Sequence, residues 1–154
     1  MARSHEGRLV QVGDGTNKVD VAYIDNVVDA HVAAFTALAQ PDAAANGQAY
    51  FIGNAEPIRL WDCVRNILEG FGAPPVKRNL SLKAAYALGT ALEGVYKLLP
   101  PSKEPPLTRM AAIMLGTSHF FRHDKAARDL GWTPKVSTEE GLERTFAAAR
   151  AAEA

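Results

Sequence analysis

The sequence predicts an α/β fold, and three observations carry that prediction. Short stretches near the start alternate polar and apolar residues, the mark of half-buried strands. Longer stretches repeat apolar residues at helical spacing behind Ser or Asp caps. Clusters of Gly and Pro punctuate the chain between the two kinds of segment.

Arg8 to Val12 alternates and ends at Gly13-Asp14-Gly15-Thr16-Asn17; Lys18 to Ile24 then alternates again. Two strands are expected, joined as a hairpin whose glycines take positive φ. Asp25 is the expected N-cap of the first helix, where Val28, Val32, Phe35 and Leu38 share one face. Ala30, Ala33, Ala34 and Ala37 line its other side and permit a close second layer, so cover is expected on both faces. Pro41 to Gly47 reads as a loop and Gln48 to Ile52 as a short buried strand.

Pro57 opens a second helix whose face is Leu60, Val64, Ile67, Leu68 and Phe71, closed around Gly70 and Gly72. After the break at Ala73-Pro74-Pro75, Val76 to Leu80 is extended and Ser81 caps a greasy helix running to Leu99. Pro100 to Pro106 is an extended connection, because proline neither donates to a helix nor lets the residue before it enter one. Leu107 to Leu115 is the next helix. Asp124 caps Lys125 to Leu130, Gly131 ends that helix, and Ser137 with Glu140 forms a capping box for an Ala-rich last helix.

With 154 residues, 47% hydrophobic and 22% charged, the chain has the balance of an ordinary globular domain and length enough for its own core, read as a single unit. Seventeen basic and seventeen acidic residues cancel without a dense cationic cluster, which argues against nucleic acid as a partner. Cys63 is the single cysteine, so no internal disulfide forms. The first residues contain no apolar stretch to serve as signal peptide or spanning helix, and a cytoplasmic setting is expected.

Chemistry-bearing motifs are sparse. Gly13-Asp14-Gly15 lacks the third glycine and the following helix of a phosphate-cradling loop. A tyrosine with a lysine one helical turn later, the arrangement that lowers a phenol's pKa for acid/base work, is missing: four residues after Tyr23, Tyr50, Tyr86 and Tyr96 stand Val27, Asn54, Thr90 and Pro100. His119 and His123 would share a helix face as a metal pair beside Asp124, but no third ligand accompanies them and no metal is expected. His31 and Cys63 lie in apolar helices and read as packing residues. Residues 81–99 suit the wall or lid of a hydrophobic ligand pocket, a plain core helix, or a peripheral contact with a membrane surface.

Four segments carry a resemblance: Val21-Ala-Tyr-Ile-Asp-Asn-Val-Val-Asp-Ala-His31, Ala49-Tyr-Phe-Ile-Gly-Asn-Ala-Glu-Pro-Ile-Arg-Leu-Trp61, Glu104-Pro-Pro-Leu-Thr-Arg109 and Lys125-Ala-Ala-Arg-Asp-Leu-Gly-Trp-Thr-Pro134. Together they resemble the C-terminal half of extended short-chain dehydrogenases/reductases, in the branch of 3β-hydroxysteroid and sterol-4-carboxylate dehydrogenases and related bacterial ketoreductases. The resemblance implies an incomplete Rossmann-type NAD(P)-binding fold: its C-terminal strands with a mostly helical substrate-binding region. It implies NAD(P) for the full-length family member. The glycine-rich turn and the catalytic Tyr-x-x-x-Lys of that family match no position here, so no catalytic or cofactor-binding residue is assigned and this chain alone is expected to bind no cofactor.

The implied partner is a small apolar substrate, a steroid or a long-chain β-hydroxy or β-keto acid. Tyr23, Trp61, Tyr86, Arg109 and His119 are the candidate substrate-binding residues. Asp25 and Asn26 are expected to cap and place a loop. Without the N-terminal dinucleotide-binding part, the uncovered sheet is expected to promote self-association. The rival reading is a non-enzymatic module that binds a hydrophobic ligand or a partner chain.

Overall fold

A computed structural model describes residues 9–54, 56–100 and 103–152 of the chain. Arg8, expected to open the first strand, and Pro101 and Ser102 of the proline connection lie outside them. The fold is α/β, in the order β1 (Val10–Val12), β2 (Lys18–Val19), α1 (Ile24–Leu38), β3 (Ile58–Arg59), α2 (Leu60–Gly70), β4 (Arg78–Leu80), α3 (Leu82–Tyr96), α4 (Arg109–Gly116), α5 (Asp124–Leu130) and α6 (Thr138–Ala152). The chain folds as two compact units: one comprises the residues up to Val19 with Arg59–His119, the other Asp20–Ile58 with Phe120–Ala154.

In the first unit β1 pairs with β4 in parallel, Val10 opposite Arg78, Gln11 opposite Asn79 and Val12 opposite Leu80. The expected hairpin is therefore corrected: Gly13 and Gly15 do hold positive φ, at 80° and 82°, but the turn passes the chain from one two-stranded sheet to the other, in which β2 pairs with β3. Gln48 to Ile52 forms no strand, and the second strand stops at Val19 rather than Ile24. The reason is shared: a strand exists through its ladder, and no neighbour pairs with either stretch among the described residues.

The first unit's core is Val12, Trp61, Ala85 and Ala112, ringed by half-buried residues including Leu60, Val64, Leu82 and Leu115. Small residues permit this packing. A Cβ on Gly89 would stand 2.8 Å from the Thr108 and Arg109 backbone, so only glycine lets α3 and α4 approach this closely. The caps of these helices are local and as expected for Ser81, whose hydroxyl accepts from Ala84 N–H. Thr108 does the same for Ala111 and starts α4 at Arg109, two residues later than periodicity indicates.

The second unit's core is Ala30, Ala126 and Trp132, with Ala33, Tyr50, Ile52 and Leu130 packed against it. The alanine side of α1 faces inward, while Ile24, Val28, Val32, Phe35 and Leu38 on the opposite side are 51–77% exposed. Cover on both faces of α1 is thus corrected to cover on one, because no layer of this unit stands opposite the large side chains. His31 lies on the exposed surface with Nδ1 2.7 Å from Val27 O, so its packing role is also corrected. Cys63 is half-buried, and that burial pushes its thiol pKa up.

Helix starts shift in the same unit. Tyr23, not Asp25, is the N-cap of α1, because Asn54 Oδ1 accepts the Tyr23 N–H at 3.1 Å and holds that residue extended. Asp25 instead pairs with Arg144 at 3.1 Å from the first turn of α1. His123 occupies the N-cap position of α5 and Asp124 is its first residue, where an acid suits the helix dipole. Gly131 ends α5 at φ 63° in the left-handed region, as expected. Of the capping box, Ser137 accepts from Glu140 N–H, whereas the Glu140 carboxylate turns to Arg144 at 2.5 Å.

Candidate functional site

The parallel pair β1/β4 places two chain turns side by side. Gly13 and Asp14 follow β1, Ser81 and Leu82 follow β4, and Gly13 N–H donates to Leu80 O at 2.9 Å. Beyond these carboxyl ends opens a cleft of about 550 Å³ lined by Gly13, Asp14, Asn79, Ser81, Leu82 and Gly116. Gly13 and Gly116 line it, and they are packed from behind: a Cβ on Gly116 would meet Leu82 Cδ1 at 2.9 Å and Val12 Cγ1 at 3.0 Å, and Gly13 lies against the same glycine. Asp14 Oδ1 accepts from Thr16 N–H at 2.9 Å and from its hydroxyl at 2.8 Å. Those bonds, the backbone one foremost, hold the Asp14 carboxyl below its ordinary pKa.

Of the candidate substrate-binding residues, Tyr86 and Arg109 are brought together where α3 and α4 pack. The Arg109 N–H and Nε both donate to the Glu93 carboxylate at 2.7 Å, and these bonds, the backbone one foremost, hold Glu93 below its ordinary pKa. Trp61 is 1% exposed in the core and donates Nε1–H to Leu115 O at 3.1 Å. His119 bridges to Val19, giving its N–H to Lys18 O at 2.9 Å. Tyr23 belongs to the other unit, its ring against Gly141 and beneath the Arg144 guanidinium, 5.8 Å from the ring centre.

His119 and His123 do not share a helix, since residues 117–123 are non-helical. His123 instead faces Asp20 at 3.4 Å, its ring filling the space left by Gly53; the rings of Phe51 and Phe121 stack on each other. Among the described residues no three His, Cys, Asp or Glu side chains are gathered to hold a metal.

The residues present do not fit a dinucleotide. A pyrophosphate needs N–H groups at the start of a helix behind a glycine turn. Here the turn from Gly13 to Gly15 runs on to β2 and carries the Asp14 carboxylate, which repels phosphate. Sequence reasoning placed Gly13, Asp14 and Ser81 as turn and cap residues and missed Asn79 and Gly116 altogether. The readable signal was the glycine turn; its partner turn lies more than sixty residues away, across a parallel pairing that no local pattern announces.

Comparison with known proteins places the chain. The model of the 3-beta hydroxysteroid dehydrogenase/isomerase family matches residues 1–83. A 2-alkyl-3-oxoalkanoate reductase from Stenotrophomonas maltophilia (strain K279a) is 48% identical over 97% of this chain and 45% of its own length. The 3beta-hydroxysteroid-dehydrogenase/decarboxylase isoform 1 of Arabidopsis thaliana is 41% identical over 94% of this chain and 34% of its own. The chain thus spans less than half the length of these relatives.

The UDP-glucuronic acid 4-epimerase of Bacillus cereus, solved in complex with NAD, superposes with a TM-score of 0.55 at 21% identity, covering 92% of this chain and 34% of that one. That likeness supports the Rossmann-type α/β fold. The matched model spans more than half of the chain, with two of the four motif segments inside it and two in the remainder. The chain belongs to the 3-beta hydroxysteroid dehydrogenase/isomerase family of oxidoreductases.

Proposed function

We propose that this chain is the substrate-binding portion of an NAD(P)-dependent 3β-hydroxysteroid dehydrogenase-like oxidoreductase acting on a secondary alcohol or ketone of a bulky apolar substrate, and that it is inactive alone. The observation that carries this reading is the 48% identity along almost the whole chain to a reductase more than twice as long. The name of that relative, a reductase of 2-alkyl-3-oxoalkanoates, favours a β-keto acid with an alkyl branch over a steroid for this chain too. A cytoplasmic setting with peripheral membrane contact through residues 81–99 belongs to the same proposal. No helix among the described residues is long and apolar enough to cross a bilayer.

A second reading is supported by one observation, the uncovered apolar side of α1. A stripe of large aliphatic and aromatic side chains is what a partner surface looks like before its partner arrives. In that reading the chain is a non-enzymatic module that binds a partner chain or hydrophobic ligand there.

Titration of the purified chain with NADH and NADPH, followed by cofactor fluorescence and calorimetry, separates the outcomes. No saturable signal is expected. Mixing the chain with the part of the Stenotrophomonas reductase that lies outside the matched stretch is then expected to restore oxoacid-dependent NAD(P)H oxidation. Saturable micromolar cofactor binding by the chain alone would overturn the proposal. Tight association with that polypeptide that yields no turnover on oxoacids or steroids would favour the binding module.

A further inference from the structure

We infer that the exposed side of α1 is the interface of a homodimer, in which two copies of this chain pair their α1 helices antiparallel about a two-fold axis near His31 and Val32. The inference rests on the reading of that side as a partner surface, and it names the partner. Ile24, Val28, Val32, Phe35 and Leu38 are 51–77% exposed there. His31 falls in the same stripe at helical spacing, its ring drawn back along its own helix because Nδ1–H donates to Val27 O at 2.7 Å.

Charge narrows the choice of partner. Helix α1 carries no lysine or arginine, and its two acids, Asp25 and Asp29, stand beside the stripe rather than in it. Each is already taken up within its own chain, Asp25 by Arg144 at 3.1 Å and Asp29 by Lys135 at 2.8 Å. The face therefore suits a neutral apolar surface and offers nothing to an acidic or a basic one.

The order of side chains along the stripe then selects a second copy. A two-fold interface must be self-complementary, each residue meeting another of the same set on the partner. Reversing α1 about the point between His31 and Val32 brings Val28 level with Phe35, and Ile24 within one residue of Leu38. Phe35, the most exposed of the five at 77%, then projects over the shorter Val28 of the second copy, and the aliphatic ends cover each other. An unrelated partner requires no such symmetry. Parallel pairing would set Phe35 against Phe35 and like ends of the two helix dipoles together, whereas antiparallel pairing sets each positive end beside a negative one. The face is about 22 Å long and about 10 Å wide. That is small beside a permanent interface, so a dissociation constant on the order of micromolar or weaker is expected.

Cysteine pairing in the full chain tests the register, with Cys63→Ser removing the one native thiol. His31→Cys is expected to form a disulfide between copies on mild oxidation, since that position lies beside the axis in both. Ile24→Cys is expected to stay unlinked alone and to cross-link when mixed with Leu38→Cys. All three positions are exposed, so these substitutions leave the core intact. Sedimentation of the unmodified chain is expected to show a monomer–dimer equilibrium that Phe35→Lys, which removes a buried ring from each copy, weakens about tenfold or more. Self-linking of Ile24→Cys would mean parallel helices and overturn the assignment. A chain still monomeric at about 1 mM would also overturn it. If that monomer binds the rest of the Stenotrophomonas reductase and loses the binding with Phe35→Lys, only the second copy falls and the partner surface stands. Dimerisation unchanged by Phe35→Lys, with no link through His31→Cys, would overturn both.

Discussion

Asn26 is 1% exposed, and its amide fills every bonding position it has. Nδ2 donates to Asn54 Oδ1 and Val136 O, while Oδ1 accepts from Lys135 N–H and Val136 N–H, all between 2.8 and 3.0 Å. One side chain thereby ties Asn54 to the loop before α6. Asn26→Ala leaves several buried groups without partners and is expected to destabilise the fold by about 3 kcal/mol, measured by urea denaturation. A loss under about 0.5 kcal/mol, the range of ordinary surface changes, would remove Asn26 from this role. The sequence motif around Asn26 signalled loop placement, and that part is observed; capping is not, since Tyr23 takes the cap. Ser81, Ser137 and Gly131 were legible because each acts within five residues of itself. The Asn26 network was not, because its partners lie 28 and about 110 positions away.

Among the elements, the six helices of the described residues follow their apolar spacing to within a few residues, whereas strand predictions held only where a ladder partner exists. Val76 to Leu80 contains β4 because β1 is there to pair with it. The stretch from Gln48 to Ile52 has the composition of a buried strand and remains unpaired, with Phe51 57% exposed. Helix α3 separates two of its expected roles by residue: Ala85 and Gly89 are buried against the core, while Leu88 and Val95, with Leu98 beyond its end, are exposed on a side without charged residues. Lys83 and Lys97 stand at its two ends, and its one acid, Glu93, is already held by Arg109. For the proposed membrane contact, the bare apolar strip is the part expected to enter a bilayer. Co-sedimentation with vesicles rich in phosphatidylglycerol is expected, reduced severalfold by Val95→Lys with Leu98→Lys. A chain that stays in the supernatant at low salt counts against membrane contact.

At the scale of the molecule, the exposed stripe of α1 is the surface from which self-association is expected. Five large apolar side chains on one helix face exceed what a free monomer usually shows to water, and concentration-dependent association is expected by analytical ultracentrifugation. Phe35→Lys, at a position 77% exposed, is expected to shift the chain toward monomer and leave its melting temperature within about 2 °C, because little burial is lost. Association unchanged by Phe35→Lys together with Val32→Lys would place the sticky surface elsewhere. The interleaving of the two units adds a temporal dimension. The first unit holds its last residue once His119 has been made, but the second cannot close until the chain beyond Phe120 has left the ribosome. During that interval α1 has neither Ala126 nor Trp132 to receive its alanine side, and both sides of the helix face water. The nascent chain therefore passes through a window in which α1 lacks its packing partners, and slower translation between His119 and Trp132 lengthens that window.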